Sequence, residues 1–346
     1  IKKIEINIAL SLFHKGQYSL AVEYFDRILS HYNLTLPGYS VLRAYYYLST
    51  FLDLITALYL PFFKFKRTPP RPDLKLLELH HHKLEACAIF NPDKMFFDSF
   101  NPRTWISNFK PDMVENALGI FSQISILFSY TGFSEKISLK VLHVAKKLLT
   151  SAGPVERMSF MLTANMHNIV YGKWENIIND EDLLSDNIKI GNLLPVTYSL
   201  LWLFLVYVQH GDQQKAELLI SKMKTIADEF DHETSSVFNT MCKSIINYKW
   251  NNVRGLSDSI DYGMIISEKA NAHLATAILL SERIQLLILN GNTETALEGL
   301  KNLEYLKTKI RFIPFINSYY LISKMIIYCS KLDNSNLPRK TDKKLF

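Results

Sequence analysis

Apolar positions recur along this chain at intervals of three and four residues, the spacing of a helix with one buried stripe. The clearest stretch is Gly211-Asp212-Gln213-Gln214-Lys215-Ala216-Glu217-Leu218-Leu219-Ile220-Ser221-Lys222-Met223. Before the glycine, Leu201, Leu205 and Val208 share a helix face; after it, Ala216, Ile220 and Met223 do. Glycine enters the left-handed region without a Cβ clash, so it permits the tight turn. Alanine five residues on lets the two helices approach closely. The pattern predicts a helical hairpin.

The same frame appears at the start of the chain. Ile4, Ile8 and Leu12 precede Gly16, and Tyr18, Ala21, Phe25 and Ile28 follow it. It returns at Gly132 (with Ile137, Val141 and Val144), at Gly172 (with Trp174 and Ile177), at Gly211, and at Gly291 (with Ala296, Leu300 and Leu303). Tyr248-Lys249-Trp250-Asn251-Asn252-Val253 echoes Gly172-Lys173-Trp174-Glu175-Asn176-Ile177, which puts a turn at Tyr248 and the two tryptophans at equivalent positions, each the plug of a repeat interface. From Gly132 onwards the turns lie 40, 39, 37 and 43 residues apart. A glycine followed by an aromatic, an alanine and two further apolar positions resembles the helix-turn-helix of the tetratricopeptide repeat. The resemblance implies an all-α fold, a right-handed superhelical α-solenoid of tetratricopeptide-like helical pairs with a period near 40 residues.

Between 33 and 110 the frame lapses. Tyr39 to Leu60 reads as one aromatic-rich helix, ended by a Pro-rich break at 61–72 in which Pro69, Pro70 and Pro72 preclude helix. Asp73 is placed to cap a helix running to Ile89. The organisation expected is a first helical unit at 1–32, an irregular helical segment at 33–110, a repeat array at 111–331, and a polar, basic, disordered tail at 332–346. A first unit, a long helix, a basic proline-containing break and a run of roughly 40-residue pairs is similar in order to the helical region of large bacterial signalling ATPases. There, an ATPase module is coupled to an adenylate cyclase, a serine/threonine kinase or a histidine kinase. The resemblance implies a regulatory helical-repeat part, and no residue here carries the activities of the other modules. The chain opens at Ile1, already inside a helix, and is expected to be part of a longer protein.

Composition narrows the class. An apolar content of 48% with 21% charged residues is that of a folded chain, and 12 glycines and 12 prolines suit long helices with short turns. The net charge of +6 is modest and well mixed, so no nucleic-acid partner is expected. Cys87, Cys242 and Cys329 are odd in number and widely spaced, which indicates a reducing cytoplasm rather than a disulfide framework. Val41 to Phe63 is long enough to span a bilayer but contains Arg43, Asp53 and Pro61. Leu193 to Val208 is shorter and carries Pro195. Both read as buried helices, and membrane contact is not expected.

Motifs of catalysis are missing: no GxxxxGK[ST], HExxH, GxSxG or dinucleotide-binding glycine fingerprint occurs. His80-His81-His82 has Glu78 four residues before His82 and Glu85 four after His81, two pairs of the kind that could hold a transition metal. Consecutive histidines diverge by about 100° on a helix, so the favoured reading is a partly exposed polar face beside Leu76, Leu77, Leu79 and Leu84. The acidic run Glu175, Asp180, Glu181, Asp182 and Asp186 lacks the alternation of a calcium loop and reads as a solvated turn. Lys64, Lys66, Arg67 and Arg71 with Phe62, Phe63 and Phe65 read as an inter-helix linker, with lipid or single-stranded nucleic acid as the alternative.

The function expected is a non-catalytic protein-interaction or regulatory scaffold with no cofactor and no metal. Its partner would be a protein, a peptide or other domains of the same polypeptide. A small-molecule or metal-binding sensor or enzyme site in 33–110, or a membrane-associated scaffold, is the alternative. In tetratricopeptide-like stacks the first helix of each pair lines the concave surface. Counting from Ala216 turns Tyr198, Trp202 and Gln209 towards that groove, Phe238 and Ile245 in the next unit, and Ser281 and Gln285 in the one after. Large aromatics with scattered amides suit a helix or peptide with apolar anchors. The competing reading makes Trp202 and Phe238 core.

Overall fold

The computed structural model describes residues 2–34, 40–60, 71–101 and 117–334. The aromatic-basic cluster at 62–67 and the tail from 335 lie outside these residues. Every regular element among the described residues is helical. The first hairpin is α1 (Lys2–His14) and α2 (Tyr18–His31). The irregular segment supplies α3 (Ser40–Tyr59), α4 (Arg71–Phe90) and α5 (Pro92–Ser99). Then come α6 (Ala117–Tyr130), α7 (Glu135–Ala145), α8 (Pro154–Val170), α9 (Glu181–Lys189), α10 (Leu193–His210) and α11 (Gln213–Phe230). The last five are α12 (Glu233–Lys249), α13 (Val253–Lys269), α14 (His273–Leu289), α15 (Thr293–Lys309) and α16 (Pro314–Asn334).

One turn device is used throughout. At the end of α10, Gly211 adopts φ +77° and the Asp212 N–H donates back to the Tyr207 carbonyl at 2.9 Å. This is the Schellman closure, and it satisfies a carbonyl that the helix end leaves free. Asp212 then caps the next helix by accepting from the Lys215 N–H. The same backbone closure joins Asn252 to Asn247, Asn292 to Leu287, and Lys173 to Asn168. Left-handed residues fall at Gly172, Gly191, Gly211, Asp231, Asn251, Asn271 and Gly291, each nineteen or twenty after the last. Asparagine and aspartate stand in for glycine because they tolerate the left-handed region best among other residues.

This corrects one turn. Tyr248 lies inside α12, and the residue that turns the chain is Asn251, at φ +58°. The turns at Gly132, Gly172, Gly211, Asn251 and Gly291 are therefore 40, 39, 40 and 40 residues apart. Trp250, just before its turn, is not equivalent to Trp174, two residues after Gly172. A period of 40 instead of 34 follows from the helices, which run 17 or 18 residues each from α10 to α15. The unit after Gly172 departs most: a 3-10 turn at Trp174–Asn176 leads to the nine-residue α9. Its exposed acidic run has a structural use, since Asp180 caps α9 and Glu181 pairs with Lys222 at 3.0 Å.

Packing follows an alternating order. The even helices α6, α8, α10, α12, α14 and α16 each pack against the next, while α7, α11, α13 and α15 each pack between the even helix before and the even helix after. One buried cluster runs from Ala9 in α1 to Ile327 in α16. Helix α10 is apolar on nearly all sides because it is covered on nearly all sides. It is the one helix among the described residues long and apolar enough to cross a membrane, and 83% of it is buried in the protein.

Long-range contacts fold this order back on itself. The first hairpin docks on the start of α12: Thr234 Oγ1 donates to the Gly16 carbonyl at 2.8 Å, and the Glu233 N–H donates to the Lys15 carbonyl at 3.0 Å. Gly16 is needed twice over, for its φ of +71° and because a Cβ would sit 2.9 Å from His232. A buried hydrogen-bond chain continues inward from Tyr18 Oη to His232 Nε2 (3.1 Å), from His232 Nδ1 to Ser235 Oγ (2.7 Å), and from Ser235 to Thr197 (2.8 Å). Pro314, at the start of α16, lies against the Gly132 turn. Helix α3 buries Thr50, Leu54 and Leu58 and leaves Val41, Tyr45, Leu48, Leu52 and Tyr59 exposed on another face.

Candidate ligand site beneath helix α4

Helix α4 carries Leu77, His80, His81, Leu84, Glu85 and Ala88 at helical spacing on one face. That face lies over α6, α8 and α10, with α2 and α5 packed on its other sides. Two lysines anchor it. Lys83 reaches Asp26 of α2 at 2.7 Å and Asp98 of α5 at 2.5 Å, and Lys94 pairs with the same two carboxylates at 3.1 and 3.5 Å. Burial by itself would raise the Asp98 carboxyl, but Lys83 and Lys94 outweigh it and hold the group below the usual carboxylate range.

The face does not fit its seat completely. A cavity of about 80 Å³ remains between α4 and the even helices, walled largely by Leu84, Ile120, Ile124, Leu127, Leu162, Met166 and Leu194. Its polar end is Glu85. One carboxylate oxygen lies 3.4 Å from His81 Nε2 and the other 3.2 Å from His82 Nδ1, while Gln123 hydrogen-bonds to both His81 and Glu85. Burial opposes ionisation of Glu85, yet His81, His82 and Gln123 together bring its carboxyl below the ordinary value. Burial pushes His81 down despite Glu85, and pushes His80 down to about 3, helped by the Lys83 charge. The pole is a largely buried carboxylate held by imidazoles and an amide. A second cavity of about 40 Å³ adjoins the first, with Tyr130 and Tyr198 lining both.

The seven groove residues read from the sequence divide unequally. Tyr198, Trp202, Phe238, Ile245, Ser281 and Gln285 are buried, and Gln209 is on the surface. Tyr198, Trp202 and Phe238 meet around the second cavity, and Trp202, 3% exposed, makes an edge contact with Phe315 of α16. Ser281 returns its hydroxyl to the Ala277 carbonyl of its own helix. None of the six is open to solvent; Tyr198 lies beneath α4, and Trp202 and Phe238 lie beneath the start of α16. The histidine run also sits differently from expectation. His80 and His81 are buried and only His82 is half-exposed, since α4 is enclosed on more than one side. Among the described residues no three His, Cys, Asp or Glu side chains converge on a metal-sized site.

Sequence reasoning missed the pairing of Glu85 with Gln123 and the seating of α4. The signal available was small and apolar residues (Leu77, Leu84, Ala88) sharing a helix face with His81 and Glu85.

A second buried acid lies away from this site. Glu282 of α14 accepts from Ser244 Oγ of α12, and burial pushes its carboxyl up to about 8. The folded protein keeps a proton that the unfolded chain loses near 4.5. Stability contributed by Glu282 therefore falls as pH rises from about 4.5 to about 8, by at most about 1.4 kcal/mol per unit, and is level above that. Glu282→Gln keeps the acceptor for Ser244 without the charge. In urea unfolding across that range, its stability relative to wild type should climb with pH and then level off; a pH-independent difference would contradict this assignment.

No family model, curated protein or solved structure is significantly similar to this chain.

Proposed function

We propose that this chain is a helical-repeat scaffold, an α-solenoid of tetratricopeptide-like pairs whose inner face receives an amphipathic helix. In this reading α4 is the resident occupant of that face. The observation that carries it is that α4 faces α6, α8 and α10 across a shared apolar lining, anchored by packing on α2 and α5 and by ion pairs to them. The alternating packing of even helices and the 40-residue turn interval support the repeat architecture. Polar residues on the seated face, His80, His81 and Glu85, are more typical of an interface that exchanges partners than of a permanent core. Its role is regulatory rather than catalytic, in keeping with the resemblance in order to the helical part of bacterial signalling ATPases. Two buried free cysteines and one exposed one fit a reducing cytoplasm.

The test is competition by α4 itself. A fluorescent peptide of residues 71–90 should bind weakly or not at all to the wild-type chain. It should bind with micromolar affinity to the Lys83→Met variant, in which the resident helix is loosened. If hydrogen exchange shows α4 released in that variant and the peptide still fails to bind, the inner face is not a helix receptor.

A further inference from the structure

The cavity under α4 has the features of a ligand site: an apolar wall, one polar pole and a volume that the protein's own side chains leave unfilled. Native interiors are close-packed, and a void forfeits contacts on every side. At about 80 Å³ this void is roughly half the engineered apolar cavity that accepts benzene. The adjoining cavity of about 40 Å³ extends it past Tyr130 and Tyr198 towards Trp202, whose indole N–H is buried without a partner. Tyr130 and Tyr198 stand between the two, and where their rings rotate aside the joined space has room for an apolar chain on the order of six carbon atoms.

The pole selects the head group. Glu85 is 12% exposed and is contacted by two imidazoles and an amide, none of which is a permanent cation. The lysines of the same segment, Lys83 and Lys94, are engaged by Asp26 and Asp98. A buried carboxylate with no fixed countercharge favours a cation or a strong hydrogen-bond donor and repels an anion. A fatty acid or a phosphate would meet Glu85 with like charge, and no arginine or lysine lines the cavity.

We propose that the cavity between α4 and the α6–α8–α10 face is a binding site for a small amphipathic amine, with its ammonium group against Glu85 and its short apolar body among Leu84, Ile124, Leu162 and Met166. Bound there, the amine touches α4 and the even helices at once, so it stabilises the seated state of α4. The inference goes beyond the scaffold reading and needs only that α4 sit where it does. Failure of the peptide test would leave it standing, and its own failure would leave the scaffold reading standing.

The experiment uses the full chain and three probes of equal chain length: hexylamine, hexanol and hexanoate. Near pH 7.5 and at constant ionic strength, hexylamine should raise the melting temperature saturably, at least tenfold more potently than hexanol, and hexanoate should not raise it. Methyl spectra of the wild-type protein locate the site without any mutation. Met95 and Met166, which line the cavity, should shift with hexylamine, and Met223, buried elsewhere, should not. Glu85→Gln should remove the preference for amine over alcohol. Ser159→Leu, which grows a side chain into the cavity, should abolish binding of both. Equal responses to the three probes, an amine preference that survives Glu85→Gln, or shifts at Met223 without shifts at Met95 and Met166 would each overturn the proposal.

Discussion

Ala216→Glu should lower the unfolding free energy by about 4 kcal/mol, enough to unfold a marginal domain at room temperature. Ala216 has no exposed surface, and it sits at the first turns of α11 where that helix meets α10. A glutamate there would have to ionise without a partner between two helices, or remain protonated and overpacked. Ala21 and Ala296 hold the corresponding positions after Gly16 and Gly291 and are equally buried. Leu218→Glu, two residues along the same helix but 51% exposed, should change stability by less than about 0.5 kcal/mol. Chemical denaturation of the pair decides the matter. Similar losses in both would mean that the alanine does not mark the close approach of paired helices.

Lys83→Met should cost about 3 kcal/mol and act first on the seat of α4. Its ammonium group is largely buried and joins carboxylates from two different helices. Breaking a buried pair by removing one partner leaves the other charge stranded, a loss of roughly 3–5 kcal/mol in typical cases. The lower end applies because Lys94 still reaches Asp26 and Asp98, and Asp26 is partly solvated. Hydrogen exchange should show protection falling in α4 and in the parts of α6 and α8 that face it, while α13 and α15 keep theirs. Uniform loss of protection would place α4 in the same cooperative unit as the rest. The ion pairs also fix the acid response. Asp98 has a depressed pKa, so its contribution is present above the ordinary carboxylate range and fades as pH falls through the folded value.

The turns were legible because they are local. Gly211-Asp212 states a left-handed residue and a helix cap in two consecutive letters, and the closure that forms there joins residues five apart. Asn251-Asn252 states the same thing in another pair. The likeness of Lys249-Trp250 to Lys173-Trp174 puts that turn at Tyr248 and turns an even interval of 40 into 37 and 43. Allowing asparagine and aspartate in the left-handed position recovers both the turn and its regularity. Helix existence was readable for a related reason: a 3.6-residue stripe of apolar side chains reports which face of a helix is covered.

What covers that face is a different question, and the stripe does not answer it. Trp202 and Phe238 look alike whether they line an open groove or an enclosed cavity, and the difference lies in Phe315 and Ile316, far along the chain. His81 and Glu85 occupy a helix surface in the sequence and a buried pole in the fold, because Gln123, Tyr198 and the rest of the cavity wall arrive from other helices. The hydrogen bond from Tyr18 to His232 spans 214 residues. The sequence by itself determined the helices and most of their turns, since hydrogen bonds and steric limits within a few residues settle those. Only the tertiary structure decided that α4 faces α6, α8 and α10 and leaves a cavity with Glu85 at its end, because that arrangement depends on the summed packing of side chains from five helices that no local pattern relates.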